Sequence, residues 1–398
     1  MSLQLLILFL VIVLVALLGS RARRGRVRMW PLQRLLQTGT PFVFVGFLMG
    51  PQGFGLVPGG LLDQLRPIVI LGFGWIGFLY GSHFEWRRIR RFGARMYGGG
   101  ITESVVTMGV VGLAVYWVLP LLYPGMQEAL REHVAVGLAA CAGGTAPAGV
   151  FALTRQRGVS ARDSELLRFF SAVDDLPPVL LLGVFFALWD VDGGGVASAP
   201  ERLAMSVVLG TLLGLGSHLL LPSGRDSASH AFLLILGMGS LCAGAAEMLL
   251  LSPLFVAVLG GMVFANLSPR KEDIYGLMER REHTLYAVFL IVAGALFRWE
   301  AVRVVLLLAP GYVILRGAAK VAGAWLGTRG VLREGSVHGM LGTGLVFQGG
   351  MGLAIAVHLE LNAGAAAGLF MTTVVLAVVL NDLIGLPIAV QALGRRRR

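Results

Sequence analysis

Long apolar runs recur along this chain, each closed by a short segment rich in Arg, Gly or Pro. A helix needs about 20 apolar residues to cross a hydrocarbon layer of about 30 Å. Thirteen runs are read on that criterion, near 3–19, 38–56, 66–84, 99–123, 132–154, 165–189, 203–222, 229–247, 250–267, 284–297, 301–327, 337–359 and 363–392. The pattern predicts an all-α integral membrane protein with 13 transmembrane helices. Charge placement gives an independent check. With the N-terminus outside, 26 of the 33 Lys and Arg fall in cytoplasmic segments, 5 fall on the opposite side, and Arg316 and Lys320 lie inside a span. So strong a bias is the positive-inside pattern expected of a correctly counted set of helices.

An odd count with one helix in the middle suggests two halves. Residues 1–190 would carry six helices, 191–225 a connecting helix, and 226–398 six more in inverted order, with no soluble domain. Echoes between the halves support this 6+1+6 inverted repeat. The fifth span contains Gly143-Gly144-Thr145-Ala146-Pro147, and the twelfth contains Gly344-Leu345-Val346-Phe347-Gln348-Gly349-Gly350. Each is an apolar segment interrupted by helix breakers, and each precedes a span with an acidic residue. Matched interruptions in two halves point to a transporter binding site, with two broken helices crossing where their loose ends line a cavity.

Composition narrows the class further. The chain is 56% apolar and 14% charged with a mean hydropathy of +0.78, against about 25% charged in a soluble domain. A net charge of +11 does not indicate nucleic acid, because the basic residues are spread over short loops. Cys141 and Cys242 both lie in apolar runs, which argues against a disulfide framework or a metal cluster. Met1 to Leu18 has no basic residue ahead of its apolar run and is followed by Arg21, Arg23 and Arg24, so a retained first helix is expected rather than a cleaved leader.

Chemistry concentrates in the sixth span, at Asp174-Asp175-Leu176-Pro177-Pro178. An Asp at the centre of a membrane helix costs roughly 2.5–3.5 kcal/mol, so such residues are kept for function. Neighbours on a helix point about 100° apart, which directs the two carboxylates to different partners. The prolines remove backbone donors and should leave the carbonyls of Val173 and Asp174 without helical partners. Oxygen atoms grouped in this way suit a hard monovalent cation or protons. The eleventh span supplies opposite charge, since Arg316 and Lys320 are four residues apart and share a face. Lys320 either partners Asp174 or Asp175, where a cation or proton reaching the carboxylates would displace its ammonium, or snorkels to the cytoplasmic edge about seven residues away. Glu103 opens the fourth span, either lining a cytoplasmic funnel or anchoring the membrane edge. Asp382, in the last span, either pairs with Arg316 or lines a funnel. All seven His lie near span ends or in loops.

These residues resemble the monovalent cation/proton antiporters, in the sodium/hydrogen exchanger type whose members carry paired Asp. The likeness runs over about residues 40 to 390 and is carried by Gly50-Pro51-Gln52-Gly53, Thr145-Ala146-Pro147, Ala172-Val173-Asp174-Asp175, Arg316 to Lys320, Phe347-Gln348-Gly349-Gly350 and Asn381-Asp382-Leu383-Ile384. The resemblance implies interleaved core and scaffold domains with alternating access as the core rocks against the scaffold, a homodimer, and a bacterial-type inner membrane. It implies that Asp175 binds sodium or another monovalent cation, or protons, that Asp174 pairs with Lys320, and that Thr145, Pro147 and Gln348 support the crossed helices. No cofactor is implied. Two positions depart from the family pattern: Ala146 in the first crossover, and the Pro177-Pro178 pair. An enzyme reading fits poorly, because intramembrane proteolysis needs its two Asp on separate helices and no Gly-x-Gly-Asp segment is present. The remaining alternatives are a proton-uncoupled potassium channel or efflux protein on the same scaffold, and a sodium-coupled organic-anion symporter.

Overall fold

The structure, a computed structural model, describes residues 40–394 apart from 58–63, 88, 89, 91, 92, 155–158, 189–197, 222–227, 270, 300, 301, 330–337 and 363–366. The described residues form fifteen α-helices and no strand. In chain order these are α1 (Thr40–Met49), α2 (Arg66–Gly81), α3 (Ala94–Leu122), α4 (Glu128–Gly143), α5 (Pro147–Thr154), α6 (Ala161–Val173), α7 (Leu176–Leu188) and α8 (Ala199–Leu220). They continue as α9 (Ala228–Met248), α10 (Pro253–Leu267), α11 (Lys271–Ala295), α12 (Val302–Thr328), α13 (His338–Thr343), α14 (Gly350–Asn362) and α15 (Ala367–Gly394). The expected first span and the basic segments around Arg21–Arg34 and Arg395–Arg398 lie outside the described residues. Six of the helical stretches are long and apolar enough to cross a membrane, including α3, α8, α12 and the run Ala161–Leu188 formed by α6 and α7.

Several expected spans differ in detail. The fifth and twelfth are each two helices, α4 with α5 and α13 with α14, separated at Gly144–Ala146 and Gly344–Gly349. The sixth is interrupted at Asp174–Asp175. The tenth starts thirteen residues before the expected position 284, because Lys271–His283 continues the helix through charged residues. Lys, Glu, Arg, Leu and Met are good helix formers, so a helix does not stop where its apolar run stops. The second span is shorter than expected: α1 ends at Met49, and Gly50–Val57 folds back in a turn in which the Phe54 amide donates to the Leu48 carbonyl.

The described residues divide into two compact units. One takes in the described residues of 60–91 and 179–286, and the other those up to 59, 92–178 and 287–398. In the first, α2 packs on α10 and α8 packs on α10. Glycines allow the close approach: a Cβ on Gly77 would lie 2.6 Å from the Leu254 carbonyl oxygen, and Gly183 faces the Phe255 ring. Ion pairs among the described residues of this unit include Arg66 with Glu247 and Lys271 with Glu85.

The second unit is built on α3 and α12. Helix α3 buries a single stripe, Gly99, Gly100, Glu103, Ser104, Thr107, Val111, Val115 and Leu119, while Val105, Leu113 and Trp117 are exposed. This inverts the soluble arrangement, with apolar side chains facing outward and small or polar ones inward, as expected where lipid is the solvent. Helix α12 answers with Arg316, Lys320, Gly323 and Gly327 on its buried face. The two backbones touch: a Cβ on Gly99 would sit 2.5 Å from the Gly327 carbonyl oxygen, and one on Gly323 would sit 2.6 Å from that of Glu103.

A branched side chain has no room at this crossing. Gly327→Val is expected to cost about 1–3 kcal/mol through overpacking, seen as a lower melting temperature of the purified protein. Gly317→Ala, on the same helix with open space around it, should leave the melting temperature unchanged or slightly raised, because Ala is the better helix former. Equal effects at the two positions would refute the packing argument.

Candidate functional site

The site lies wholly within the second unit, where the two helix interruptions meet. Helix α4 ends at Gly143 and α5 starts at Pro147, and Pro is tolerated at a helix start because its missing N–H would have no partner there. Helix α13 ends at Thr343 and α14 starts at Gly350. The extended segments between them are tied together where the Ala146 amide donates to the Phe347 carbonyl, 3.0 Å. Unwound backbone in an apolar interior needs donors for its carbonyls. Arg316 supplies them. Its guanidinium donates to the carbonyls of Ala142 (3.0 Å), Gly144 (2.6 Å), Phe347 (3.3 Å) and Val346. Two of these carbonyls belong to each half of the crossing. Arg316 is 1% exposed, and its planar fork of donors can reach several acceptors at once.

One turn further along α12, Lys320 is completely buried. Its ammonium has three partners: the Gly143 carbonyl (2.5 Å), Asp174 Oδ2 (2.9 Å) and Glu103, 3.2 Å from each carboxylate oxygen. Asp174 Oδ2 also meets the Thr145 hydroxyl at 2.5 Å, and that hydroxyl lies 3.0 Å from the Leu345 carbonyl oxygen. A hydroxyl carries one proton, so Thr145 serves only one of these two acceptors at a time. Asp174 Oδ1 is buried with no hydrogen-bond partner. Asp175 is buried as well, and its Oδ1 occupies the space a Cβ on Gly144 would need. A side chain at 144 would therefore displace the second carboxylate from this position. The Asp174 carbonyl, expected to be free because of the prolines, accepts from the Ser104 hydroxyl at 2.8 Å. A helix interruption in a dry interior recruits a donor from its neighbour, which is why this oxygen is occupied.

Gln348, in the second interruption, donates to the Cys141 carbonyl and meets the Tyr312 hydroxyl, both at 3.3 Å, and accepts from Asn381 at 3.4 Å. Among the predicted residues, the structure thus groups Asp174, Asp175, Thr145, Lys320, Arg316, Gln348 and Glu103, with Pro147 starting the helix beside them. Three expectations change. Glu103 is neither a funnel residue nor a surface anchor, because α3 begins five residues before the expected start and the residue lies in its third turn, fully buried. Arg316 bonds to backbone carbonyls rather than to Asp382, which sits half-buried in α15 beside Asn381. His133 and His358 are buried inside the second unit rather than at surface ends. Ser104, Thr107, Tyr312 and Asn381 were not singled out as site residues. The signal for the first two was their 103, 104, 107 spacing with Glu103 on one face of an apolar helix.

The sequence profile described as "Sodium/hydrogen exchanger, transmembrane" matches residues 10–393. No curated protein matches the chain in sequence. Among solved structures, the sodium proton antiporter MjNhaP1 from Methanocaldococcus jannaschii superposes with a TM-score of 0.68 at 14% identity, covering 99% of this chain and 98% of that one. At that identity the likeness speaks for the fold.

The clamp can be tested directly. Arg316→Ala removes the guanidinium donor from the buried carbonyls of Ala142, Gly144 and Val346, each costing about 1–3 kcal/mol. Arg316→Lys keeps the charge but not the fork. Both variants are expected to melt earlier than wild type, Ala more than Lys. An unchanged melting temperature for Arg316→Ala would remove the guanidinium from its assigned structural role.

Proposed function

Since this chain belongs to the sodium/hydrogen exchanger family, we propose that it exchanges protons for a monovalent cation by alternating access, with both ions competing for the carboxylates of Asp174 and Asp175. The observation carrying this reading is the pairing of the Lys320 ammonium with Asp174 at 2.9 Å, beside a second buried carboxylate and between two broken helices. The pair is conditional. The ammonium balances Asp174 while no other ion is bound, and a dehydrated alkali cation at the two carboxylates takes its place. Protons do the same from the other side of the cycle. Asp174 Oδ1 has an unused acceptor position, and a proton on this carboxylate also relieves the competition for the single Thr145 hydrogen. Asp175, held against Gly144, is assigned the principal cation contact.

Competition fixes the sign of the pH dependence. Protonated carboxylates do not bind sodium, so the apparent KM for sodium should rise as the pH falls, while the maximal rate at saturating sodium changes less. The measurement is proton movement in proteoliposomes on addition of sodium, lithium or potassium at several pH values. Asp175→Asn is expected to bring cation-dependent proton movement down to background. Exchange that survives this substitution would overturn the site assignment. Cation flux without saturation or proton movement would favour a channel instead. Sodium-driven uptake of an organic anion would favour a symporter.

A further inference from the structure

Lys320 has more negative charge around it than one exchange partner requires. The charged groups near it are Asp174 and Asp175 at the α6–α7 interruption, Glu103 from α3, and Arg316 from its own helix, the last occupied with four carbonyls. Helix α4 contributes only the Gly143 carbonyl. Both Glu103 oxygens lie 3.2 Å from Nζ, and Thr107 donates to Oε1 at 3.1 Å. The backbone contact of Gly323 with Glu103 brings α3 close enough to α12 for the Glu103 carboxylate to reach Lys320. From this geometry we infer that Glu103 is a positioning residue, a second counter-ion that keeps the Lys320 ammonium charged and in place while Asp174 is occupied by a cation or a proton.

The argument is one of charge balance. If Asp174 were the sole partner, a cation arriving there would leave a buried ammonium unpaired, and the ammonium could avoid this only by losing its proton. With Glu103 already in contact, the ammonium keeps an ion pair without moving out of the site. Lys320 then retains its proton through the cycle, and the exchanged protons come from the aspartates alone. The second half of this inference, the proton source, rests on the exchange proposed above; the first half, a lysine shared by two acids, does not.

The two halves are tested separately. Melting temperatures of the full-length purified protein are compared for wild type, Glu103→Gln, Asp174→Asn and the double variant. Each single variant leaves Lys320 one carboxylate, so each loss should be modest. The double variant strands the ammonium, and its loss should be roughly twice the sum of the single losses or more. Adding Lys320→Gln to the double variant should restore much of the difference. If the double variant yields no folded protein and the triple variant does, the result supports the inference equally. Additive losses, or a triple variant no better than the double, would sink it.

In proteoliposomes, Glu103→Gln should need a more alkaline pH for exchange, with the apparent KM for sodium at neutral pH raised roughly tenfold, while Glu103→Asp recovers much of the wild-type profile. An unaltered pH profile in Glu103→Gln would make the aspartates and lysine self-sufficient and discard the inferred role in exchange. Wild-type protein that moves no alkali cation against protons would instead discard the proposed function, leaving the melting comparison to decide whether Lys320 is shared.

Discussion

Two helices broken back to back in an apolar interior leave carbonyls outside the helical hydrogen-bond ladder, and the second unit is arranged to satisfy them. Arg316 bonds to four such oxygens, two from each broken segment. Helix C-terminal ends carry partial negative charge, so a permanent cation at this position offsets both dipoles and hydrogen bonds at once. A guanidinium is suited to the task because it stays protonated in any protein environment. The rest of the site follows from this arrangement. Only with the crossing held can Thr145 sit between Leu345 and Asp174, and only with Gly144 extended can the Asp175 carboxylate lie against its Cα.

The two cations of α12 have different tasks although they are one turn apart. Arg316 faces backbone oxygens, which do not ionise. Lys320 faces carboxylates, which do. Under the proposed exchange this separation lets a change at Asp174 reach Lys320 while the Arg316 contacts to backbone stay as they are. The sequence places them four residues apart for a simple reason: both must project from one face of α12 toward the same crossing, one above the other.

The chain carried much of this in legible form. Asp174-Asp175 and the Gly-rich breaks at 143–149 and 344–350 stand out because each violates the rules of a membrane helix. Lys320 stood out because lysine is otherwise almost absent from the apolar runs. What remained hidden depended on distances between helices. Glu103 looked like a residue at a membrane edge, since Arg95 and Tyr97 disguise the first two turns of α3 as loop. The Asp174 carbonyl looked free because nothing local to Pro177 and Pro178 shows that Ser104 lies opposite. The choice of backbone oxygens by Arg316, when carboxylates were equally plausible partners, likewise required the fold. The boundary of α11 was misplaced because hydropathy reports where lipid contact ends, not where hydrogen bonding ends.

The contact of α3 with α12 through Gly99, Gly323 and Gly327 has a mechanical corollary. Sliding of packed helices ordinarily proceeds by small adjustments in a layer of side chains, and here that layer is missing because backbone rests on backbone. Glu103 and Lys320 lie on these two helices, so a displacement that moves α3 and α12 as one beam carries both by the same amount and leaves their separation unaltered.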